Sequence, residues 1–167
     1  MLDQLIKLVQ QNADTAIIKN KAIPNEHNNA AIETVAKSIF SGLQNQANQG
    51  NLAQLAGMFQ GGKSNLTGNP IVTQLISSVA GSVASKFGIS QQAAQSMAAG
   101  LLPAVMNQLV NKTNDPKDNS FDLTDIMKSV SGNNNLDVSG ILGSLAGGSG
   151  SKLGGLGGML GGMFGNK

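Results

Sequence analysis

Residues 69–88 place the tightest limits on the fold, because the start, the apolar face and the end of this segment all specify one helix. Asn69 is a favourable N-cap residue, and Pro70 follows at the first helical position, where the absence of an N–H has no cost. Gly88 can adopt the left-handed conformation in which many helices end. Between them, apolar residues recur three and four positions apart, as on the buried face of a helix: Ile71, Val72, Leu75, Ile76, Val79, Val83 and Phe87. The segment therefore predicts a packed helix.

The residues after Gly88 predict a second helix that meets the first at a tight corner. Ser90 can cap it, and apolar residues follow at helical spacing. Gly100 and Pro103 then interrupt the pattern, so that either this helix kinks or a third helix begins at Pro103. We favour a break near Gly100.

Three more helices are predicted on the N-terminal side of this corner. An amphipathic helix begins at Leu2 and ends near Lys19. A second helix follows Pro24, with Asn25 as its cap, and a short third helix is capped by Asn51. No segment alternates polar and apolar residues as a half-buried strand does. The expected fold class is therefore all-α, a compact bundle of short helices.

A short repeat follows the bundle. Residues 121–132, FDLTDIMKSVSG, align without gaps onto residues 136–147, LDVSGILGSLAG, at an offset of fifteen positions. Each copy has an aspartate that can cap a helix, Asp122 in the first and Asp137 in the second. Both copies are therefore predicted to be short helices. Two units are too few for a solenoid, so chance similarity remains an alternative explanation of the repeat.

The chain ends in a Gly-rich tail after Gly147, and this composition is typical of a partly disordered segment. Its apolar residues nevertheless keep helical spacing, and its glycines form rows four residues apart that permit close helix–helix contact. We therefore predict that a partner can induce a helix here. The candidate interaction residues line one side of that helix: Leu153, Leu156, Leu160, Met163 and Phe164.

The composition argues against most catalytic and nucleic-acid-binding functions. All eleven basic residues are lysines and aromatic residues make up 3% of the chain, so the groups that read guanine and stack on bases are scarce. The chain has no cysteine, and His27, its single histidine, has no partners for a catalytic triad. A cluster of aspartates around Asp118 lacks the glycine and the bidentate glutamate of a calcium loop. We expect no enzyme activity, no catalytic residue, no cofactor and no metal site.

Residues 57–64, GMFQGGKS, match the phosphate-binding pattern G-x-x-x-x-G-K-S at every fixed position. A working phosphate loop needs a buried strand before it and a helix that begins at the Lys-Ser pair. The upstream sequence NLAQLA is helical instead, and Gly68 to Pro70 would break a helix begun at Lys63. We therefore rank nucleotide binding below the other interpretations.

Several segments resemble the YidB-like family of bacterial domains of unknown function: MLDQLIKLV at the start, AIPNE, NPIV, FGIS, GLLPAVMNQLV, and NKTNDPKDNSFDLTDIM. The resemblance covers most of residues 1–132 and implies an all-helical, cytoplasmic bacterial protein. It implies no catalytic residue. We accordingly divide the chain into a YidB-like helical domain, residues 1–132, and a remainder, residues 133–167, that holds the second repeat copy and the tail.

The hypothesis that best fits these features is a non-catalytic protein-interaction or self-assembly module that acts through the tail. A nucleic-acid-binding helical domain is the alternative, followed by an enzyme that binds nucleotide at residues 57–64. Weak membrane contact is a further outcome for the tail, since only Lys152 and Lys167 could attract anionic lipid and about fifteen residues are too few to cross a bilayer. The N-terminal segment lacks the pattern of a secretory signal, and no stretch predicts a membrane span.

Overall fold

The computed structural model describes residues 1–61, Leu66 and residues 68–146. Within these residues the fold is all-α, as predicted, and no strand occurs. The α-helices in this part of the chain are α1 (Leu2–Ala13), α2 (Asn28–Asn48), α3 (Leu52–Gln60), α4 (Pro70–Phe87), α5 (Gln91–Thr113), α6 (Leu123–Ser131) and α7 (Val138–Ala146). Short turns of π-helix (Asp14–Ile18) and 3-10 helix (Asn25–His27 and Asn119–Phe121) extend or join them.

The long helices α2, α4 and α5 form the centre of the bundle. Helix α4 packs against both α2 and α5, while α1 packs across α2 and α5. Helix α6 contacts α2 and α3, and α7 lies mainly on α3. The apolar faces of these helices meet in one continuous core, in which the predicted stripe of α4 is buried at Ile71, Val72, Leu75, Val79 and Val83.

The predicted corner between α4 and α5 is confirmed. The Asn69 side-chain oxygen accepts a hydrogen bond from the N–H of Ile71 at 2.9 Å. Gly88 ends α4 in the left-handed conformation, with φ of 66°. Ser90 Oγ then accepts from the N–H of Ala93 at 3.2 Å and caps α5. Each of these residues does what its sequence position predicts.

The predicted break near Gly100 is wrong. Helix α5 continues from Gln91 to Thr113 with Pro103 inside it. Proline there removes the hydrogen bond to the Ala99 carbonyl, but Ala99 and Gly100 lie on the exposed side of the helix, where water can bond to that carbonyl. Apolar residues on both sides of Pro103 are buried in one stripe, which holds the helix together: Met97, Leu101, Leu102, Val105, Met106 and Leu109.

Two predicted caps are also wrong. Asn25 lies in a 3-10 turn, and α2 begins three residues later without a side-chain cap. Asn51 does precede α3, but its side chain does not cap the helix. Its Nδ2 instead donates to Oε1 of Gln46 at 2.7 Å, which ties the start of α3 to the end of α2.

Candidate interaction surface

Helices α6 and α7 are the two copies of the sequence repeat. They are both nine residues long, and their first and last residues differ by the predicted fifteen positions. Asp122 Oδ1 accepts from the N–H of Thr124 at 2.8 Å, and Asp137 Oδ1 accepts from the N–H of Gly140 at 2.9 Å. The predicted short helices and their aspartate caps are therefore confirmed.

The two copies differ in how far they are buried. The inner face of α6 is at most 1% exposed at its three apolar positions, Ile126, Met127 and Val130. The equivalent residues of α7 are Ile141 and Leu142, which are partly exposed, and Leu145, which is 38% exposed. Helix α6 is covered because it lies against both α2 and α3, whereas α7 lies mainly on α3. We call Ile141, Leu142 and Leu145 the α7 edge.

Leu145 of α7 packs beside Gly57 of α3. Leu145 Cδ2 lies 3.9 Å from the position that a Cβ on Gly57 would occupy. One side of Leu145 therefore packs on α3 while the rest of the side chain stays exposed. The α7 edge is the apolar part of this surface helix that the described bundle covers least.

The tail residues predicted to carry the interaction, Leu153, Leu156, Leu160, Met163 and Phe164, lie outside the described residues. The described chain stops at Ala146, and the α7 edge ends at Leu145, eight positions before Leu153. The apolar residues of the tail sequence therefore follow exposed apolar residues on the last described helix. Sequence reasoning missed the α7 edge, because the spacing of α7 predicts a buried face as readily as it does for α6.

The match to a phosphate loop, residues 57–64, begins inside a helix rather than in a loop. Gly57 through Gln60 are the last turn of α3, whereas a phosphate loop begins with a loop that follows a strand. Gly62, Lys63 and Ser64 lie outside the described residues. The helix predicted for NLAQLA is thus confirmed.

His27 and Asp118, which were considered as functional residues in the sequence, both have structural partners. His27 Nε2 lies 3.8 Å from Oε1 of Glu26, and its ring centroid is 6.0 Å from that of Phe87. Asp118 Oδ2 bonds to Nζ of Lys112 at 2.6 Å, and this hydrogen bond, helped by those from Ser120, lowers the pKa of Asp118 to about 2. In the part of the chain that the structure describes, no three His, Cys, Asp or Glu residues gather as a metal site.

Sequence reasoning also missed the concave surfaces, because they form only where helices meet. An open cleft of about 550 Å³ lies between the π-helical turn and α5, lined by uncharged residues that include Asn12, Asn20 and Ser96. A smaller cavity of about 220 Å³ lies between α4 and α5.

Of the helices described, none is both long enough and apolar enough to cross a bilayer.

A family model described as "Bacterial protein of unknown function (DUF937)" matches the chain twice, over residues 26–82 and 73–167. Together the matches cover well over half of the chain, and they confirm the resemblance to YidB-like proteins, which belong to the same family. Searches of curated proteins and of solved structures found no significant match. The chain is therefore a member of the DUF937 family of bacterial proteins of unknown function.

Proposed function

We propose that this protein is a non-catalytic cytoplasmic self-assembly module, in which the C-terminal segment, residues 138–167, binds a second copy of the chain. The observation that carries the proposal is the α7 edge. A repeat copy with the same length and cap as α6 leaves Leu145 exposed, and Ile141 and Leu142 partly exposed, at positions that α6 buries. Burial of such side chains is the main favourable contribution to protein association.

The charge distribution supports contact between uncharged apolar surfaces. Between Asp137 and the C-terminus the sequence contains only two charged residues, Lys152 and Lys167. An interface built from this segment removes few charges from water, so apolar burial is opposed by little desolvation. The low charge also leaves little repulsion between copies.

The glycines of the tail explain why a partner is needed. Each glycine destabilises a helix by about 1 kcal/mol relative to alanine, and the tail alternates glycine pairs with one or two apolar residues. Burial of a leucine or methionine side chain contributes about 1.5 to 3 kcal/mol. We propose that contact with a second copy supplies this burial, with Leu153, Leu156, Leu160, Met163 and Phe164 at the interface.

Light scattering over a concentration series tests the proposal with two variants. One chain ends after Gly147, and the other keeps its full length but has serine at the five tail positions. We expect the mass of the full chain to rise with concentration above its single-chain value of 17.0 kDa, and each variant to stay near its own single-chain mass. The proposal would be contradicted if the mass of the full chain did not rise with concentration, or if the masses of all three proteins rose in the same proportion.

Flotation with anionic liposomes separates protein contact from membrane contact. Only Lys152 and Lys167 can attract anionic lipid in this segment, so we expect little of the full chain to float. Flotation of the full chain, but not of the chain that ends after Gly147, would show that the tail binds a lipid surface rather than a second copy.

A further inference from the structure

Helices α2 and α4 carry only three charged side chains, and all three lie at the same end of the groove between these helices. Lys37 of α2 and Lys86 of α4 line the groove, and Glu33 of α2 lies beside them. Charged residues make up only 12% of the chain, so this grouping is a distinct feature of the two helices. Two cations and one anion leave a net positive charge at this end of the groove.

The carboxylate of Glu33 occupies a position that favours an oxyanion. Its Oε1 accepts a hydrogen bond from Nζ of Lys37. This hydrogen bond and the charge of Lys37 lower the pKa of Glu33, and the charge of Lys86 lowers it further. In the described part of the chain Lys86 has no ion pair of its own. The two lysines therefore attract more negative charge than Glu33 supplies.

Hydroxyl and amide groups line the rest of the groove. Between Lys37 and Asn45 the groove extends about 12 Å along α2. Apart from the two lysines and Gly42, its lining residues are all polar and uncharged: Thr34, Ser38, Ser41, Asn45, Ser78 and Ser82. Its volume of about 390 Å³ lies at the lower end of the range of about 300 to 1,000 Å³ for small-molecule sites. The groove therefore has room for a small polar molecule that is anionic at one end.

Three of these hydroxyl groups are available to a ligand. Ser38, Ser41 and Ser78 make no side-chain hydrogen bond to the described part of the chain. The hydroxyls of Thr34 and Ser82 instead donate to carbonyls one turn earlier in their own helices, at 2.7 and 2.9 Å. A hydroxyl without a protein partner can both donate and accept, so the three serines can bond to hydroxyl groups of a ligand.

We propose that this groove binds a small phosphate monoester that carries hydroxyl groups, a molecule of the sugar-phosphate class. Lys37 and Lys86 hold the phosphate, and the three serines bond to the hydroxyl groups. A phosphate monoester carries a charge of about −1.5 to −2 at pH 7, which matches two lysines once Glu33 turns into solvent. The side chain of Glu33 is 49% exposed, so it can turn away without disturbing the core.

The same features disfavour other anions. A nucleic acid is held by many cations along its backbone, whereas this groove offers two lysines at one end. A carboxylate ligand brings a single negative charge, which Glu33 already supplies. The proposal is independent of self-assembly, because it uses no residue of α7 or of the tail.

Calorimetric titration of the full chain at low ionic strength tests the proposal, since salt screens the attraction of the lysines. The probes are glucose 6-phosphate and ribose 5-phosphate, with glucose and inorganic phosphate for comparison. We expect at least one sugar phosphate to bind at a single site, inorganic phosphate to bind at least threefold more weakly, and glucose not to bind. Failure of both sugar phosphates to saturate the protein at about 10 mM, ten times the dissociation constant of a weak millimolar site, would overturn the proposal.

Three charge variants separate this site from general attraction to surface lysines. Lys86→Gln should weaken binding of the sugar phosphate at least tenfold, while Lys7→Gln, at an exposed position of α1 outside the groove, should leave it unchanged. Glu33→Gln should tighten binding at least threefold, because it removes the competing carboxylate. Circular dichroism checks that each variant keeps its helices. Equal affinities of the two lysine variants, or weaker binding by Glu33→Gln, would overturn the proposed phosphate position.

The serines have a matched control in the same helix. Ser78→Ala should weaken binding of the sugar phosphate at least threefold and leave binding of inorganic phosphate unchanged, because Ser78 lies beyond the lysine end. Ser77→Ala, at the exposed neighbouring position outside the groove, should change neither. Equal affinities of these two variants for the sugar phosphate would contradict a role for Ser78 in binding it.

Discussion

Gly42 lies on the face of α2 that packs against α4, and a Cβ added there would collide with Cδ2 of Leu75. Leu75 is 1% exposed, so its side chain has little room to move. Two other helical glycines, Gly81 in α4 and Gly100 in α5, have no atom within 4 Å of an added Cβ. The same residue type therefore has a packing role at one site and none at the other two.

We expect Gly42→Ala to lower the free energy of unfolding, because overpacking costs about 1 to 3 kcal/mol, which exceeds the gain of up to about 1 kcal/mol in helix propensity. Gly81→Ala and Gly100→Ala should each raise it by about 0.5 to 1 kcal/mol. Urea unfolding of the three variants measures these changes. A Gly42→Ala protein as stable as the Gly81→Ala protein would refute the close approach of α2 and α4.

The ionisation of Asp118 makes the stability of the fold depend on pH in the acid range. Its pKa is lowered from 3.8 to about 2, first by the hydrogen bond from Lys112 and then by those from Ser120. Because the folded pKa is below the unfolded one, the stabilisation is fully present above pH 3.8 and is lost as the pH falls through 2. We expect the difference in urea midpoint between the natural chain and Asp118→Asn to shrink over this range. A difference that stays constant from pH 5 to pH 2 would show that the ion pair does not stabilise the fold.

At the scale of the helices, the sequence correctly predicts the start of a helix where several neighbouring residues indicate the same position. Asn69 caps α4 because Pro70 fixes the first helical residue and an apolar stripe follows at once. Asn25 also follows a break and precedes a helix, but a 3-10 turn separates it from α2, and its Oδ1 receives only a 3.5 Å contact from Nδ2 of Asn28. The sequence around Asn25 does not reveal this turn.

The two asparagines make a matched test of capping. We expect Asn69→Ala to lower the free energy of unfolding by about 1 kcal/mol, because it removes the acceptor for the N–H of Ile71. Asn25→Ala should change it by less than 0.5 kcal/mol, since Asn25 is exposed and does not cap α2. Thermal unfolding of both variants checks the difference, and equal losses would mean that Asn25 has a capping role as well.

Helix α5 shows where local signals fail. Gly100 and Pro103 both disfavour a helix interior, and together they predict a break. The buried stripe from Met97 to Leu109 crosses them without interruption and keeps one helix. Tertiary burial outweighs the local preference here, and the sequence alone does not state how much of the stripe will be covered.

At the scale of the whole molecule, the sequence predicts the all-helical class, the repeat and its caps. It does not predict which copy of the repeat will be covered, because that depends on the position of α2 and α3 in the bundle. Helix α6 lies against both and α7 mainly against one. The α7 edge is a consequence of this packing, so it became visible only in the structure.

The most direct test of the account compares two exposed apolar residues. Leu145 on the α7 edge is 38% exposed, and Ile18 in the π-helical turn is 42% exposed and lies outside the proposed interface. Sedimentation velocity over a concentration series gives the dissociation constant of the natural chain, of Leu145→Ser and of Ile18→Ser. We predict that Leu145→Ser weakens self-association by about 1 kcal/mol, roughly fivefold, while Ile18→Ser leaves it unchanged. Equal constants for the two variants, or no self-association of the natural chain, would contradict the account.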